Sequence, residues 1–256
     1  MLPELLPMFD RDIADIMQKA LRNKKIDLHL NSKVERIEAG PAVVYSENGT
    51  SLKVDCDAVL MAVGRVANVN GIENLGLEMD RKGIKVDLHM KTSIDNIYAI
   101  GDVTGSIQLA HVASYEGIIA AHNIAGEAKE ADLNAVPSCV YTEPEIAWVG
   151  LNEKQAKEKY GEIKIGTFPY SALGRAMTMG ESEGLIKIIA EGKYNQIVGM
   201  QIIGKDATEM IHEGVLAVKE EFTAEELADT IHAHPTLSEG IKEAAEDILG
   251  MPINKG

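Results

Sequence analysis

Residues 184–204, GLIKIIAEGKYNQIVGMQIIG, constrain the fold most strongly, because two apolar runs flank one short polar turn. Apolar runs of this length, bounded by turn residues, are typical of buried strands. A turn near EGKYN joins them, so the stretch predicts an antiparallel hairpin. Helical patterns follow at 206–221, 223–231 and 236–249. Strands followed by helices predict an α+β second half, with helices packed on an antiparallel sheet.

The first half of the chain predicts a layered α/β arrangement. Residues 10–25 place apolar side chains at helical spacing, with Asp10 as the cap. Residues 26–39 alternate as a strand. Residues 43–54 predict a hairpin that turns at Asn48-Gly49, where both residues need positive φ.

Three further segments complete this half. Residues 57–64 and 92–103 are apolar enough to predict buried strands, the second ending in Gly-Asp. Residues 109–126 predict a helix with Gly126 as its C-terminal cap. The polar stretch that follows predicts a linker and a domain boundary near Leu133.

Composition excludes several classes of function. A chain of 256 residues with 45% hydrophobic residues is long enough for one or two globular domains. Its formal net charge of -15 argues against nucleic acid and anionic membranes, which bind basic surfaces. The apolar runs are too short for a membrane span, and no basic signal-peptide flank precedes them. We therefore expect a soluble, cytoplasmic protein. The histidines and the two cysteines lack metal-ligand spacing, so no metal site is expected.

The stretch AIGD places Asp102 directly after a predicted buried strand. In open α/β folds, ligands bind at the carboxyl ends of strands, and a carboxylate there can accept hydrogen bonds from ribose or ribityl hydroxyls. A simpler interpretation is a Gly-Asp turn that caps the following segment. The four residues alone leave both interpretations open.

The stretch HAHPTLSE also permits two interpretations. Thr236 and Glu239 have the spacing of a capping box, which would open the last helix and leave His232 as a surface residue. Alternatively, His234 and Glu239 lie on either side of the cap, close enough for the carboxylate to hold the imidazole in one tautomer for acid/base work. Both interpretations can hold in part, because a helix start is also a rigid platform.

Taken together, these stretches point to a known family. YAIGDVTG, LAHVASYEG, VPSCVYTEPEIAWVGLNE and HAHPTLSE resemble, in order and spacing, the pyridine nucleotide-disulfide oxidoreductases. The resemblance runs over essentially the whole chain. HAHPTLSE is more similar to the members that oxidise dihydrolipoamide than to glutathione or mercuric reductases.

The resemblance implies a role for individual residues. His234 matches the catalytic acid/base and Glu239 its orienting carboxylate, and a cis bond between His234 and Pro235 is expected. The positions that match cofactor contacts are Asp102, Gln108, Leu109, Ala110 and His111 for FAD, and Val34 and Gly64 for NAD.

The resemblance also implies domains, a reaction and partners. It divides the chain into a truncated NAD-binding domain (1–65), a central domain with the FAD-contacting segment (66–133) and an interface domain (134–256). The interface domain would form a homodimer. The parent enzyme would oxidise dihydrolipoamide with NAD, through FAD and a redox disulfide. Its partners would be the lipoyl domains of 2-oxoacid dehydrogenase or glycine cleavage complexes.

The sequence departs from the family in two respects. It contains neither a Gly-x-Gly-x-x-Gly dinucleotide motif nor a Cys-x-x-x-x-Cys redox pair. We therefore interpret it as the C-terminal portion of such an enzyme, inactive alone and binding no cofactor alone. The alternatives are a dimerisation module and one half of a split flavoprotein. NAD and NADP are not firmly distinguished.

Overall fold

A computed structural model describes residues 2–255 of the chain. The chain divides into two compact units. The first unit comprises the described residues of Met1–Val59 and Asn134–Gly256, and the second unit comprises Leu60–Leu133. The three-domain division that the resemblance implies stays a prediction, since compactness groups the first 59 residues with the C-terminal half.

A five-stranded antiparallel sheet, in the order β4-β5-β8-β7-β6, forms the centre of the first unit. Its strands are β4 (Ser138–Val140), β5 (Glu145–Gly150), β6 (Ile163–Pro169), β7 (Leu185–Glu191) and β8 (Ile197–Gly204). The predicted hairpin is confirmed as β7 and β8. Every residue of β8, and every residue of β7 except Leu185, is buried. A sheet with such a centre must be covered on both faces.

Helices supply that cover. The helices of the chain are α1 (Arg11–Asn23), α2 (Ala110–Ile124), α3 (Glu153–Tyr160), α4 (Gly174–Met179), α5 (Ala207–Lys219), α6 (Ala224–Asp229) and α7 (Glu239–Ile248). In the first unit, α5 packs on β5 and β8, α7 packs on β6 and β7, and α1 contacts β8. The three predicted C-terminal helices and the α+β class are confirmed, whereas β6 and α4 were not predicted. Among the described residues, no helix combines the length and apolarity that a membrane crossing needs.

A buried lysine links α1 to the sheet. Lys187 of β7 is 1% exposed, and its Nζ lies 2.9 Å from Asp12 Oδ2 and 3.3 Å from Asp10 Oδ2. It also forms an ion pair with Glu153. Burial by itself lowers the pKa of Lys187, but hydrogen bonds to Asp12 and Glu153 outweigh burial and leave that pKa raised. Lys187 is therefore held as a cation at the junction of α1, α3 and β7.

Asp10 occupies the predicted cap position of α1, but its carboxylate makes no hydrogen bond to that helix. Instead it accepts hydrogen bonds from Gln201 Nε2 at 2.8 Å and from the backbone N–H of Glu153 at 3.1 Å. The predicted capping bond is therefore wrong in detail, because tertiary donors compete for the same oxygens. Asp10 fastens the start of α1 to β8 and to the start of α3.

We expect Lys187→Met to lower the free energy of unfolding by about 3 kcal/mol, because the carboxylates of Asp10, Asp12 and Glu153 would lose their cation. The estimate is at the low end for a broken buried pair, since the Asp12 and Glu153 side chains are each 40% exposed. Urea denaturation at neutral pH measures it. Lys154→Met on the exposed face of α3 is the control and should change stability by less than about 0.5 kcal/mol. Equal midpoints for the two variants would contradict the linking role.

The first unit also contains a small antiparallel sheet, β1 (Lys33–Glu38), β2 (Ala42–Glu47) and β3 (Thr50–Asp55). The predicted turn between β2 and β3 is confirmed, with Asn48 at φ +50° and Gly49 at φ +81°. Only part of the predicted strand 26–39 forms β1.

The second unit is mostly irregular, and the strand predictions for residues 57–64, at its boundary, and for residues 92–103 are wrong. Residues 57–64 form no strand, and Leu60 and Val63 are 91% and 86% exposed. Residues 92–103 contribute one isolated bridge, between Lys91 and Tyr98, before a 3₁₀ turn at Gly101–Thr104. Apolar runs become strands only beside a partner, and neither segment has a partner strand among residues 2–255.

Candidate functional site

The loop between α6 and α7 carries the first candidate site. His234 is exposed over 78% of its side chain, and its Nδ1 lies 2.9 Å from Glu239 Oε1. The His234-Pro235 bond is cis, as expected. With Nδ1–H donating to the carboxylate, Nε2 is the nitrogen left to accept a proton from solvent or substrate. The geometry is that of an imidazole held in one tautomer by a carboxylate.

Both carboxylate oxygens of Glu239 contact the loop between α6 and α7. Oε1 contacts His234, and Oε2 accepts a hydrogen bond from the Thr236 backbone N–H at 2.7 Å. Burial by itself raises the pKa of Glu239, but the Thr236 N–H and His234 outweigh it and hold that pKa below its ordinary value. Glu239 is therefore ionised at neutral pH and able to orient His234.

The predicted capping box forms only in part. Glu239 reaches back to the Thr236 N–H, as predicted, but α7 begins at Glu239 itself, with Ser238 at the cap position. Thr236 Oγ1 donates to the Ala233 carbonyl at 2.7 Å. The threonine hydroxyl thus closes the histidine loop, and its predicted place as the helix cap is wrong.

His232 is not the surface residue that we predicted. Its side chain is 7% exposed, and its Nε2 lies 2.8 Å from Glu213 Oε1 of α5. Its Nδ1 lies 3.0 Å from the Thr230 carbonyl. The His-x-His spacing gave no signal of this, because residues two apart in a regular extended segment point to the same side, whereas here one ring is buried and the other is exposed.

We expect the contact between His234 and Glu239 to be lost at acid pH. The folded-state pKa of Glu239 is lowered. The stabilising contact of its carboxylate with His234 is therefore fully present above the ordinary glutamate pKa of roughly 4.3, and it is lost as pH falls through the lower folded-state pKa. The measurement is the His234 Nδ1–H resonance by NMR during acid titration. Glu239→Gln should remove this acid transition while the protein stays folded. A transition that persists unchanged in Glu239→Gln would contradict the assignment.

The second candidate site lies in the second unit, at the turn that presents Asp102. Gly101 adopts φ +70°, and Asp102 is exposed. The Gly101 N–H donates to Glu116 Oε2 at 2.6 Å, and Ser106 Oγ donates to Glu116 Oε1 at 3.3 Å. Glu116 lies in α2 and is 1% exposed. This buried carboxylate fixes the turn, and sequence reasoning missed it. The signal was an acidic residue within an apolar helix pattern.

The segment predicted to run along the flavin leads into α2. Leu109 is the N-terminal cap residue, and its apolar side chain makes no capping hydrogen bond. Gln108, Ala110 and His111 are exposed, and Leu109 is half-buried. Asp102 thus lies on a turn that contacts α2, and residues 108–111 lie at the start of that helix.

The two positions predicted to contact NAD lie in different units. Val34 is in β1, 60% exposed and paired with Tyr45 of β2 beside an irregularity in the ladder. Gly64 adopts φ +102° in the second unit, with no atom within 4 Å of where a Cβ would stand. Both are accessible, and their role in binding NAD stays a prediction.

Family models match most of the chain. The model described as pyridine nucleotide-disulphide oxidoreductase matches residues 1–117, and the dimerisation domain of the same enzymes matches residues 136–245. The chain belongs to this family. The predicted family membership is thereby confirmed, and the second match places a dimerisation domain in the region of the five-stranded sheet.

Curated relatives of this oxidoreductase family include several dihydrolipoyl dehydrogenases. Those of Bacillus subtilis strain 168 and Geobacillus stearothermophilus are each 42% identical, over 98% of this chain and 55% of their own length. That of Haloferax volcanii is 39% identical, over 99% of this chain and 55% of its length. The chain therefore spans about half the length of the curated relatives that it matches.

Solved structures of the family show the same fold. The HOCl-induced flavoprotein disulfide reductase RclA from Escherichia coli, as a Cu(II) complex, matches with a TM-score of 0.86 and 32% identity, over 96% of this chain and 56% of its own. LpdA from Mycobacterium tuberculosis matches with a TM-score of 0.85 and 28% identity, over 94% of this chain and 54% of its own. The chain is thus similar to just over half of each of these solved chains.

Proposed function

We propose that this chain is the C-terminal part of a dihydrolipoyl dehydrogenase, an enzyme that oxidises dihydrolipoamide with NAD through FAD and a redox disulfide. The observation that carries the proposal is the carboxylate-held imidazole of His234, exposed on a loop and supported by Glu239. The dihydrolipoyl dehydrogenases among its relatives support the choice of substrate within the family. Glutathione-type substrates are less well supported, because HAHPTLSE resembles the lipoamide branch.

The chemistry of a dithiol substrate calls for a base with the properties of His234. A thiol attacks a disulfide only as the thiolate, so its proton must first be removed. Nε2 of His234 would take that proton, while Nδ1–H remains hydrogen-bonded to the Glu239 carboxylate. The ionised carboxylate stabilises the resulting imidazolium, and His234 returns the proton in the reverse direction. Exposure of the ring leaves the thiol free access to it.

The turn at Asp102 fits the flavin that the family uses. Asp102 offers an exposed carboxylate to hydroxyl donors, and the start of α2 follows it in the chain. Asp102 and residues 108–111 would hold FAD, and Glu116 would keep their turn in shape. When bound, FAD relays electrons from the enzyme disulfide to NAD. Val34 and Gly64 are the proposed NAD contacts of this chain.

The setting of the parent enzyme follows from the same proposal. The match of a dimerisation domain supports a homodimer formed through residues 134–256. In such a dimer, His234 would serve the flavin and disulfide of the neighbouring subunit. The partners would be lipoyl domains of 2-oxoacid dehydrogenase or glycine cleavage complexes, in the cytoplasm. The match also favours a second candidate, in which the isolated chain acts only as a dimerisation module.

The substrate and the role of His234 can be tested in a chimera. This chain would replace the matching 55% of the B. subtilis dihydrolipoyl dehydrogenase. We expect the chimera to reduce NAD with dihydrolipoamide, and His234→Gln to lower kcat by about 10²- to 10⁴-fold, the usual contribution of a positioned acid/base. Steady-state assays of NADH formation measure both.

The matched control for this test is His212→Gln, because His212 is exposed on α5 and lies outside the proposed site. It should leave kcat unchanged. A His234→Gln chimera that keeps full activity would refute the acid/base role. A flavin-loaded chimera that does not oxidise dihydrolipoamide but reduces another disulfide would refute the proposal that dihydrolipoamide is the substrate.

The isolated chain should retain no flavin and show no turnover. The sequence lacks both dinucleotide motifs and the redox cysteine pair, so the Asp102 turn would have to hold FAD alone. The measurement is the visible absorption spectrum after incubation with FAD and gel filtration. A stoichiometric flavin band would contradict this expectation and would favour one half of a split flavoprotein that binds its cofactor independently.

A further inference from the structure

The loop of residues 230–236 is exposed along most of its length, yet it must hold the ring of His234 in place. Ile231 is 94% exposed, and Ala233, His234 and Pro235 are exposed as well. Fixing each residue of such a segment costs backbone entropy, so an exposed loop keeps one conformation only when it is anchored. Downstream, Thr236 and Glu239 anchor it.

Upstream, the anchor is His232. Its side chain is 7% exposed and lies between the Thr230 carbonyl, 3.0 Å from Nδ1, and Glu213 Oε1, 2.8 Å from Nε2. A neutral imidazole has one N–H and can satisfy only one of these two acceptors. Both acceptors are satisfied when the ring carries a second proton, which makes His232 an imidazolium paired with the Glu213 carboxylate. A charge this deeply buried is stable only in such a pair.

We propose that His232 is a positioning residue, held as an imidazolium between Glu213 and Thr230, that fixes the loop of His234 on helix α5. This proposal rests on the proposed function, since it assigns His232 to the same acid/base site. His232 touches no reacting atom. It acts through the backbone that leads, two residues later, to the catalytic ring.

The charges around His232 agree with this assignment. The hydrogen bond to Glu213 raises the pKa of His232, although burial and Lys242 of α7 oppose it. Glu239 of α7 is the other charge that interacts with it, and the positive ring helps to keep Glu239 ionised. The remaining acids that line the same cleft are Asp229, Glu243 and Glu246. The folded-state pKa of His232 is raised. Its ion pair with Glu213 is therefore fully present below the ordinary histidine pKa of roughly 6.5, and it is lost as pH rises through the higher folded-state pKa.

The test is NMR of the full chain with ¹⁵N-labelled histidine, which reports the protonation and tautomer of each ring. At about pH 7.5, where an ordinary histidine is mostly neutral, we expect both nitrogens of His232 to carry protons. In Glu213→Gln, which keeps the size of the side chain, His232 should lose its extra proton. The Nδ1–H tautomer of His234 should then fall about fivefold relative to the other tautomer, as for the loss of one net hydrogen bond. His232→Ala should give the same change.

The matched control is Glu209→Gln, which removes one carboxylate from the exposed first turn of the same helix. It should leave both rings unchanged. A His232 ring that is neutral at about pH 7.5 in the unmodified chain would overturn the proposal. Unchanged His234 tautomers in a folded Glu213→Gln protein would overturn it too. The unmodified chain decides the first point even where His232→Ala does not fold.

The outcome is separable from that of the proposed function. If His234 is not the acid/base, the His234→Gln chimera stays active whatever the ring spectra show. If His232 does not position the loop, the spectra of His234 stay unchanged in Glu213→Gln while His234→Gln still inactivates the chimera. A positioning role also predicts that Glu213→Gln in the chimera lowers kcat, by at most about fivefold, with little change in KM, in line with a smaller population of the correct tautomer.

Discussion

Burial of β7 and β8 on both faces is the constraint on which the first unit depends. A sheet centre of this kind exists only when helices cover it, so α1, α5 and α7 have little freedom in where they pack. The packing of these helices in turn fixes the position of the loop between α6 and α7. His234 therefore stands on an exposed loop whose two ends are fixed by the packed core.

Carboxylates from helices fix the loops of both candidate sites in the same way. Glu116 of α2 accepts the N–H of Gly101, and Glu239 of α7 accepts the N–H of Thr236. In each case a backbone N–H in a tight turn donates to a side-chain carboxyl oxygen of a helix. Some of the many acidic residues of the chain therefore have a structural role, because their carboxylates accept hydrogen bonds from the backbone instead of facing solvent. Asp10, which binds the N–H of Glu153, is a further example.

Local chemistry made much of this structure predictable from sequence. The turn at Asn48-Gly49 and the hairpin of β7 and β8 depend on positive φ and on apolar patterning, and both are as predicted. The failures at 57–64 and 92–103 have one physical cause: the apolar pattern says that a segment can pair, whereas pairing depends on a distant neighbour. The charged partners of Lys187 could not be predicted from the sequence for the same reason: Asp10, one of them, lies 177 positions away from it in the chain.

The candidate site shows why the cap and the acid/base interpretation of HAHPTLSE did not exclude each other. A carboxylate has two oxygens, and Glu239 gives one to the loop backbone and the other to His234. The backbone bond sets the position of the carboxylate, and the carboxylate then sets the tautomer of the ring. What sequence could not supply was the partner of the other histidine, because Glu213 belongs to a different helix. One histidine of the pair is thus placed by its own loop and α7, and the other ties that loop to α5.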